Sequence, residues 1–178
     1  ITPAILILAG PLSFRLSCYY YRKFYYRAYF LSPPACAVEG IAQKQYKGET
    51  ALFIIQNIHR FTFYIALGFV IVLSYDALLS FFRDGELGIG VGTIILVINP
   101  ILLAGYTFGC HAFRHMVGGR MDCFTCPNGK EKLGFKAWKG VSHLNGQHML
   151  WAWVSMIWVV IADVYVRLVS MGLLTDLN

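Results

Sequence analysis

Apolar residues in this chain run together instead of alternating with polar ones. Three long apolar runs occupy residues 61–73, 89–107 and 149–161. No polar stripe recurs every third or fourth residue within them, so none has the pattern of a soluble amphipathic helix. A helix that crosses the hydrocarbon core needs about 20 mostly apolar residues. With their amphipathic or aromatic flanks, segments 51–82, 88–116 and 147–172 reach that length. The opening run, 1–12, is too short to span alone, and together with residues 13–30 it predicts the surviving end of a further helix over 1–30. The expected architecture is all-α. It is a single-domain integral membrane helix bundle over 1–178, with four transmembrane helices, loops at 31–50 and 117–146, and a fifth helix upstream of Ile1. Pro11 is tolerated in a membrane helix, and Asn99-Pro100 predicts a kink. No processing site for a cleaved signal peptide is recognisable. Composition agrees, with 57% hydrophobic and 13% charged residues, where soluble domains carry about 25% charged.

Charge gives the bundle a direction. Successive helices alternate, so loops 31–50 and 117–146 share one side and the short connection near 83–87 lies on the other. On the first side fall Arg15, Arg22, Lys23, Arg27, Lys44, Lys47 and Arg60, then Arg114, Arg120, Lys130, Lys132, Lys136 and Lys139. Only Arg83 and Arg167 fall on the second, with Asp76, Asp84, Glu86, Asp163 and Asp176. An excess of Lys and Arg marks the cytoplasmic face of a plasma-membrane protein. The net charge of +6 is thereby concentrated where it suits anionic headgroups or an acidic soluble partner. No nucleic-acid recognition motif accompanies it. Segment 19–27 mixes Tyr and Phe with Arg22, Lys23 and Arg27 more densely than an interfacial aromatic belt requires. It predicts a helix that leaves the bilayer and, with 120–139, docks a partner. Ser32-Pro33-Pro34 ends it, since proline cannot donate a helix hydrogen bond.

All five cysteines and all five histidines fall on the basic side. Cys18, Cys36, Cys110, His59, His111, His115 and His148 come from four segments at similar depth, and polar groups at membrane depth are costly and usually functional. A reducing cytoplasm argues against disulfides. Two metal chemistries fit the inventory. One is b-type haem between two of His59, His111 and His148. The other is a Rieske-type [2Fe–2S] cluster held by two Cys and two His. His111 and His115, spaced i, i+4, share a helix face and suit one iron, with Cys110 adjacent and Cys18 and Cys36 approaching from the other loop. Taken singly, a membrane cysteine is more often a small hydrophobe. The pair Cys123 and Cys126 has zinc or redox spacing but lacks a second pair. Gly88, Gly90 and Gly92 open a membrane helix, where small residues permit close approach. No dinucleotide or flavin fingerprint is present.

Several stretches, in order along nearly the whole chain, carry a family resemblance. They are Arg15-Leu16-Ser17-Cys18-Tyr19-Tyr20-Tyr21-Arg22-Lys23, Leu31-Ser32-Pro33-Pro34-Ala35-Cys36-Ala37-Val38 and Tyr46-Lys47-Gly48-Glu49-Thr50. Further on come Gln56-Asn57-Ile58-His59-Arg60, Gly88-Ile89-Gly90-Val91-Gly92-Thr93, Cys110-His111-Ala112-Phe113-Arg114-His115 and Asp163-Val164-Tyr165-Val166-Arg167-Leu168-Val169. They resemble the cytochrome b-like membrane-anchor subunit of succinate dehydrogenase (complex II) of the actinobacterial type. The resemblance implies a five-helix anchor that is inactive alone. It implies docking of a flavoprotein and an iron–sulfur subunit, and transfer of electrons from succinate to a membrane quinone, with menaquinone expected. It implies a Rieske-type cluster in place of b haem. Cys123 and Cys126 stand outside the family's pattern. The expected cluster ligands are His111 and His115 with two of Cys18, Cys36 and Cys110, and His59 or His148 is the replacement for His115. Expected quinone donors are Arg60, Tyr64 and Arg114, then Ser17 and Tyr20. The competing function is a haem-binding cytochrome or transporter without a dehydrogenase partner.

Overall fold

A computed structural model describes residues 3–29, 52–83, 86–119, 121 and 133–176. Cys36, Cys123 and Cys126 lie outside the described residues, as does most of the basic charge of the two loops. The chain forms two compact units, Ile1–Ala66 and Leu67–Asn178.

The first unit holds α1 (Pro3–Ser17), α2 (Tyr19–Ala28) and the opening turns of α3 (Leu52–Leu79). Sequence pattern predicts one helix over 1–30, but the chain makes two. Cys18 takes extended dihedrals, φ −62° and ψ 132°, and becomes the N-cap of α2. The break follows composition, because α1 is apolar while α2 is a run of Tyr, Arg and Lys. Hydroxyls inside α1 cost little there, since Ser13 Oγ donates to Gly10 O at 2.7 Å and Ser17 Oγ to Ser13 O at 2.7 Å, which removes them from the hydrocarbon.

The second unit holds the rest of α3, a hairpin of β1 (Phe82–Arg83) and β2 (Glu86–Leu87), α4 (Val91–Phe108), α5 (His111–Gly118), α6 (Leu133–Gly146) and α7 (His148–Ser170). Its core is the antiparallel pair α4–α7. Small residues on α4 admit large ones on α7. At one end a Cβ added to Gly92 would sit 3.1 Å from the Tyr165 ring, and at the other a Cβ on Gly105 would sit 2.6 Å from the Trp151 ring. Between them Trp158 Nε1 donates to Ile95 O at 3.0 Å, and α4 runs on as helix through Pro100. The chain after α7 turns back through Gly172 at φ 72°, a left-handed position glycine adopts without strain. That turn lets Asp176 accept from Gly92 N at 3.2 Å and from Tyr165 Oη at 2.8 Å.

Among the described residues three helices are long and apolar enough to cross a membrane, Asn57–Leu79, Val91–Phe108 and His148–Ser170. Their outer faces are apolar, as lipid-facing surfaces are, with Phe61 at 72%, Ile71 at 62% and Ile157 at 55% exposure. Two further differences from the sequence expectation stand out. The predicted helix 88–116 breaks at Gly109 and Cys110, and α5 begins afresh. The predicted loop 117–146 contains α6, whose Phe135, Trp138, Val141 and Asn145 recur at helical spacing and turn inward, while Lys136, Lys139 and His143 are exposed.

Candidate functional site

Each unit carries a buried thiol at a helix start and a buried imidazole. In the first unit Cys18 is 3% exposed and His59 is 8% exposed. The His59 ring stacks on Phe14, centroids 4.6 Å apart and planes 6° from parallel. Its Nδ1 lies 3.0 Å from Ser17 Oγ. Phe63 closes the group against Phe14 at 6.3 Å. Arg22, one turn into α2, is buried with its guanidinium over the Tyr19 ring at 5.6 Å. Arg15 donates to Tyr21 Oη at 2.8 Å.

In the second unit Cys110 is 1% exposed. It is the N-cap of α5, and its Sγ accepts from Phe113 N at 3.4 Å. The helix start thus directs an otherwise unpaired N–H at the sulfur. Cys18 and Cys110 both carry thiols, not disulfides. His148 opens α7, buried and stacked on Tyr106 with centroids 5.0 Å apart and planes 12° from parallel. Asn145 Nδ2 donates to Gly109 O at 2.7 Å and fixes the break before Cys110. A Cβ on Gly109 would sit 3.2 Å from Leu144 O and 3.4 Å from His148 Nδ1, so glycine lets α4 end against the start of α7.

The expected ligands fall into two groups. His59 and His148 are buried, whereas His111 and His115 on α5 are exposed. Desolvation of its ring, with the Arg114 charge as the second cause, holds the His111 imidazole below its usual range, which favours the neutral, lone-pair-bearing form. Among the described residues no three His, Cys, Asp or Glu side chains are grouped to hold a metal ion. The expected quinone donors are likewise dispersed. Arg60 and Tyr64 share an exposed face of α3 at i, i+4 spacing. Arg114, in the second unit, donates through Nε to Ser142 Oγ at 3.0 Å and lies over Trp138 at 4.9 Å. Ser17 is committed to His59, and Tyr20 packs edge-on to Tyr21 at 5.6 Å. The expected docking surface also changes. Arg22 is not part of it, because helical periodicity carries its side chain inward while Lys23 and Phe24 stay exposed. Sequence reasoning missed the Ser17–His59 and Tyr106–His148 pairings. Their only sequence signal is a small hydroxyl residue before one buried cysteine and an aromatic residue one turn before the other.

Residues 1–172 match the family described as actinobacterial succinate dehydrogenase subunit SdhC. The chain belongs to that family. It is similar to a chain of the Mycobacterium smegmatis Sdh1 complex in the apo form, at 44% identity and a TM-score of 0.85 over 96% of its length. It spans 63% of that longer chain. No curated protein matches it. SdhC membership and the structural likeness make it a multi-pass, all-helical membrane bundle, as its apolar pattern predicts.

Proposed function

We propose that this SdhC chain is the membrane anchor of a succinate:quinone oxidoreductase. It docks a flavoprotein and an iron–sulfur subunit at its basic side, which faces the cytoplasm, and passes electrons from succinate oxidation to a membrane quinone. The observation that carries the reading is the placing of buried Cys18 and Cys110 at the starts of α2 and α5, in a chain of this family. Cysteine sulfurs and imidazoles are, by residue type, the donors a Rieske-type [2Fe–2S] centre uses, although the described residues are not grouped around one point. Such a centre supplies a one-electron relay at about −150 to +300 mV, against about −400 mV for all-cysteine plant-type clusters, a range that suits a quinone acceptor.

Its ligands come from Cys18, Cys36, Cys110, His59, His111, His115 and His148. Burial favours His59 and His148 over the exposed His111 and His115 as first choices, because a centre shielded from water needs ligands already inside. Arg60 and Tyr64, exposed on one face of α3, are the donors for a quinone carbonyl. Lys23 on α2 and, in the other unit, Lys136 and Lys139 on α6 are exposed cations that would meet a docked partner.

The test compares membranes with and without this chain. Succinate oxidation with a soluble dye persists without it, and quinone reduction stops. Dye-linked activity in the isolated anchor overturns the reading. Bound iron with labile sulfide and a paramagnetic signal in the purified complex supports the cluster, whereas a low-spin haem spectrum replaces it with bis-histidine haem.

A further inference from the structure

At the end of the second unit opposite Cys110, the apolar surface does not stop where the helices do. Helix α4 has 18 residues, about 27 Å at 1.5 Å per residue, the short end for a hydrocarbon core about 30 Å thick. Two flanking segments are tied to its first turn. Thr93 Oγ1 donates to Ser80 O at 3.1 Å, which fastens the β1–β2 hairpin there. Gly92 N donates to Asp176, which fastens segment 171–176. On the hairpin Phe82 is paired directly with Leu87. Residues so paired share one face of a ribbon, and these two are 61% and 70% exposed. The adjoining pair is Arg83 with Glu86, and successive positions on a strand belong to opposite faces. The ribbon is therefore amphipathic. Ile89, Met171 and Leu173 are exposed as well. The patch continues the apolar outer surface of the helices, since Tyr75, Leu78 and Leu79, exposed on the last turns of α3, lead into Phe82.

We propose that the hairpin and segment 171–176 bind the membrane, with Phe82, Leu87, Ile89, Met171 and Leu173 seated in phospholipid at the boundary between acyl chains and headgroups. They thereby extend the short apolar span of α4. The inference rests on the membrane-spanning fold alone and uses neither the cluster nor the quinone. Two observations set the depth. Non-helical backbone is not tolerated against lipid inside the hydrocarbon. Arg167 and Asp163, ion-paired at 2.7 Å and exposed on the last turns of α7, belong near the headgroups, which a long cationic side chain at a helix end can reach. Such a seat also needs the polar atoms at this end to be satisfied from within. The first N–H groups of α4 have no intrahelical acceptor, and its N-cap, Gly90, has no side chain to offer. Asp176 accepts from one of them, and its charge is held by Gly92 N and Tyr165 Oη.

The experiment uses the whole complex in phospholipid nanodiscs, with a nitroxide at Leu87→Cys or, separately, at Leu173→Cys, and the labelled native complex subtracted as background. Collisions with dissolved oxygen, which concentrates among acyl chains, and with a water-soluble nickel chelate report depth. A nitroxide free in buffer and a lipid carrying one midway along its acyl chain are the references. Quinone-linked activity matching the native complex shows that each labelled complex is folded, and two sites on separate segments keep the test open if one variant fails to assemble. The expected result at both sites is an oxygen-to-nickel collision ratio several-fold above that of the free label and below that of the labelled acyl chain. A ratio equal to that of the free label at either site places it in water and overturns the proposal. Low collision rates with both reagents show that protein covers the patch, and overturn it equally.

Discussion

Replacing Gly105 by alanine tests the α4–α7 packing with one methyl group. The new Cβ would lie 2.6, 2.8 and 3.0 Å from Trp151 Cε3, Cδ2 and Cζ3, while ordinary contact begins at 3.4 Å. The indole must therefore move by about 0.8 Å, the difference between 3.4 and 2.6 Å. It cannot swing freely, because Trp151 is half-buried and its Nε1 is sealed inside. Overpacking of this kind costs about 1–3 kcal/mol. Against it stands a gain of about 1 kcal/mol from replacing glycine inside a helix, so the net effect is a loss of up to about 2 kcal/mol. Gly140, inside α6, is the control, since a Cβ there meets nothing within 4 Å. Gly140→Ala keeps the propensity gain alone and raises stability by about 1 kcal/mol. The two variants should thus differ by about 1–3 kcal/mol, read as separated thermal midpoints of the purified complex. Quinone-linked activity should fall more than dye-linked activity in Gly105→Ala, because Trp151 lies one turn from His148, which stacks on Tyr106. A Gly105→Ala complex as stable as Gly140→Ala would refute the reasoning.

Cys110→Ser should leave α5 capped, since serine is a strong N-cap, while abolishing the cluster signal; Cys110→Ala should also lose about 1 kcal/mol of stability, and a serine variant that keeps an unaltered paramagnetic signal would remove Cys110 from the ligand set. Lys23→Glu should release the soluble subunits from membranes as salt is raised, whereas Arg22→Gln should lower the anchor's thermal midpoint, because Arg22 is buried; sedimentation of dye-linked activity and a melting curve separate the two. Arg114→Lys should cost about 0.5–2 kcal/mol, since lysine keeps the charge over Trp138 but loses the planar stacking and the Nε donor to Ser142; an unchanged melting midpoint would show that the contact contributes nothing.

The membrane-spanning part of the fold is legible in the sequence because its physics is one-dimensional. About 20 apolar residues in a row must span as a helix, whatever surrounds them, and the spans 57–79, 91–108 and 148–170 sit inside the segments read from hydropathy alone. The breaks at Cys18 and Gly109 were not legible. Both fall where apolar sequence passes into polar, aromatic and basic sequence without a proline, and a helix can cross such a boundary or stop there. What stops the second one is Asn145, reaching from a segment 36 positions away to Gly109 O, which no local pattern encodes. Likewise α6 went unseen because its apolar stripe is short and flanked by lysines. Candidate chemistry was legible as an inventory of thiols and imidazoles on one side. Which members are buried depends on the helix breaks, so the i, i+4 spacing alone put the exposed pair His111 and His115 ahead of the buried His59 and His148.

The two breaks give the cysteines their shared character. In a continuous α1–α2 helix, Cys18 would be one more small apolar side chain, its backbone N–H groups bonded up the ladder. The break instead makes Cys18 the N-cap of α2, where the initial N–H groups of a helix have no intrahelical acceptor. Cys110 stands in the same relation to α5, and there the Phe113 N–H points at the sulfur. A helix start offers N–H donors to whatever polar group lies beside it, and both cysteine side chains are buried there. Breaking two helices forgoes backbone bonds that an apolar environment makes expensive to lose, and at each break the residue left at the new helix start is a buried cysteine. The metal-ligand role proposed for Cys18 and Cys110 would account for that recurrence, and the Cys110→Ser variant tests it.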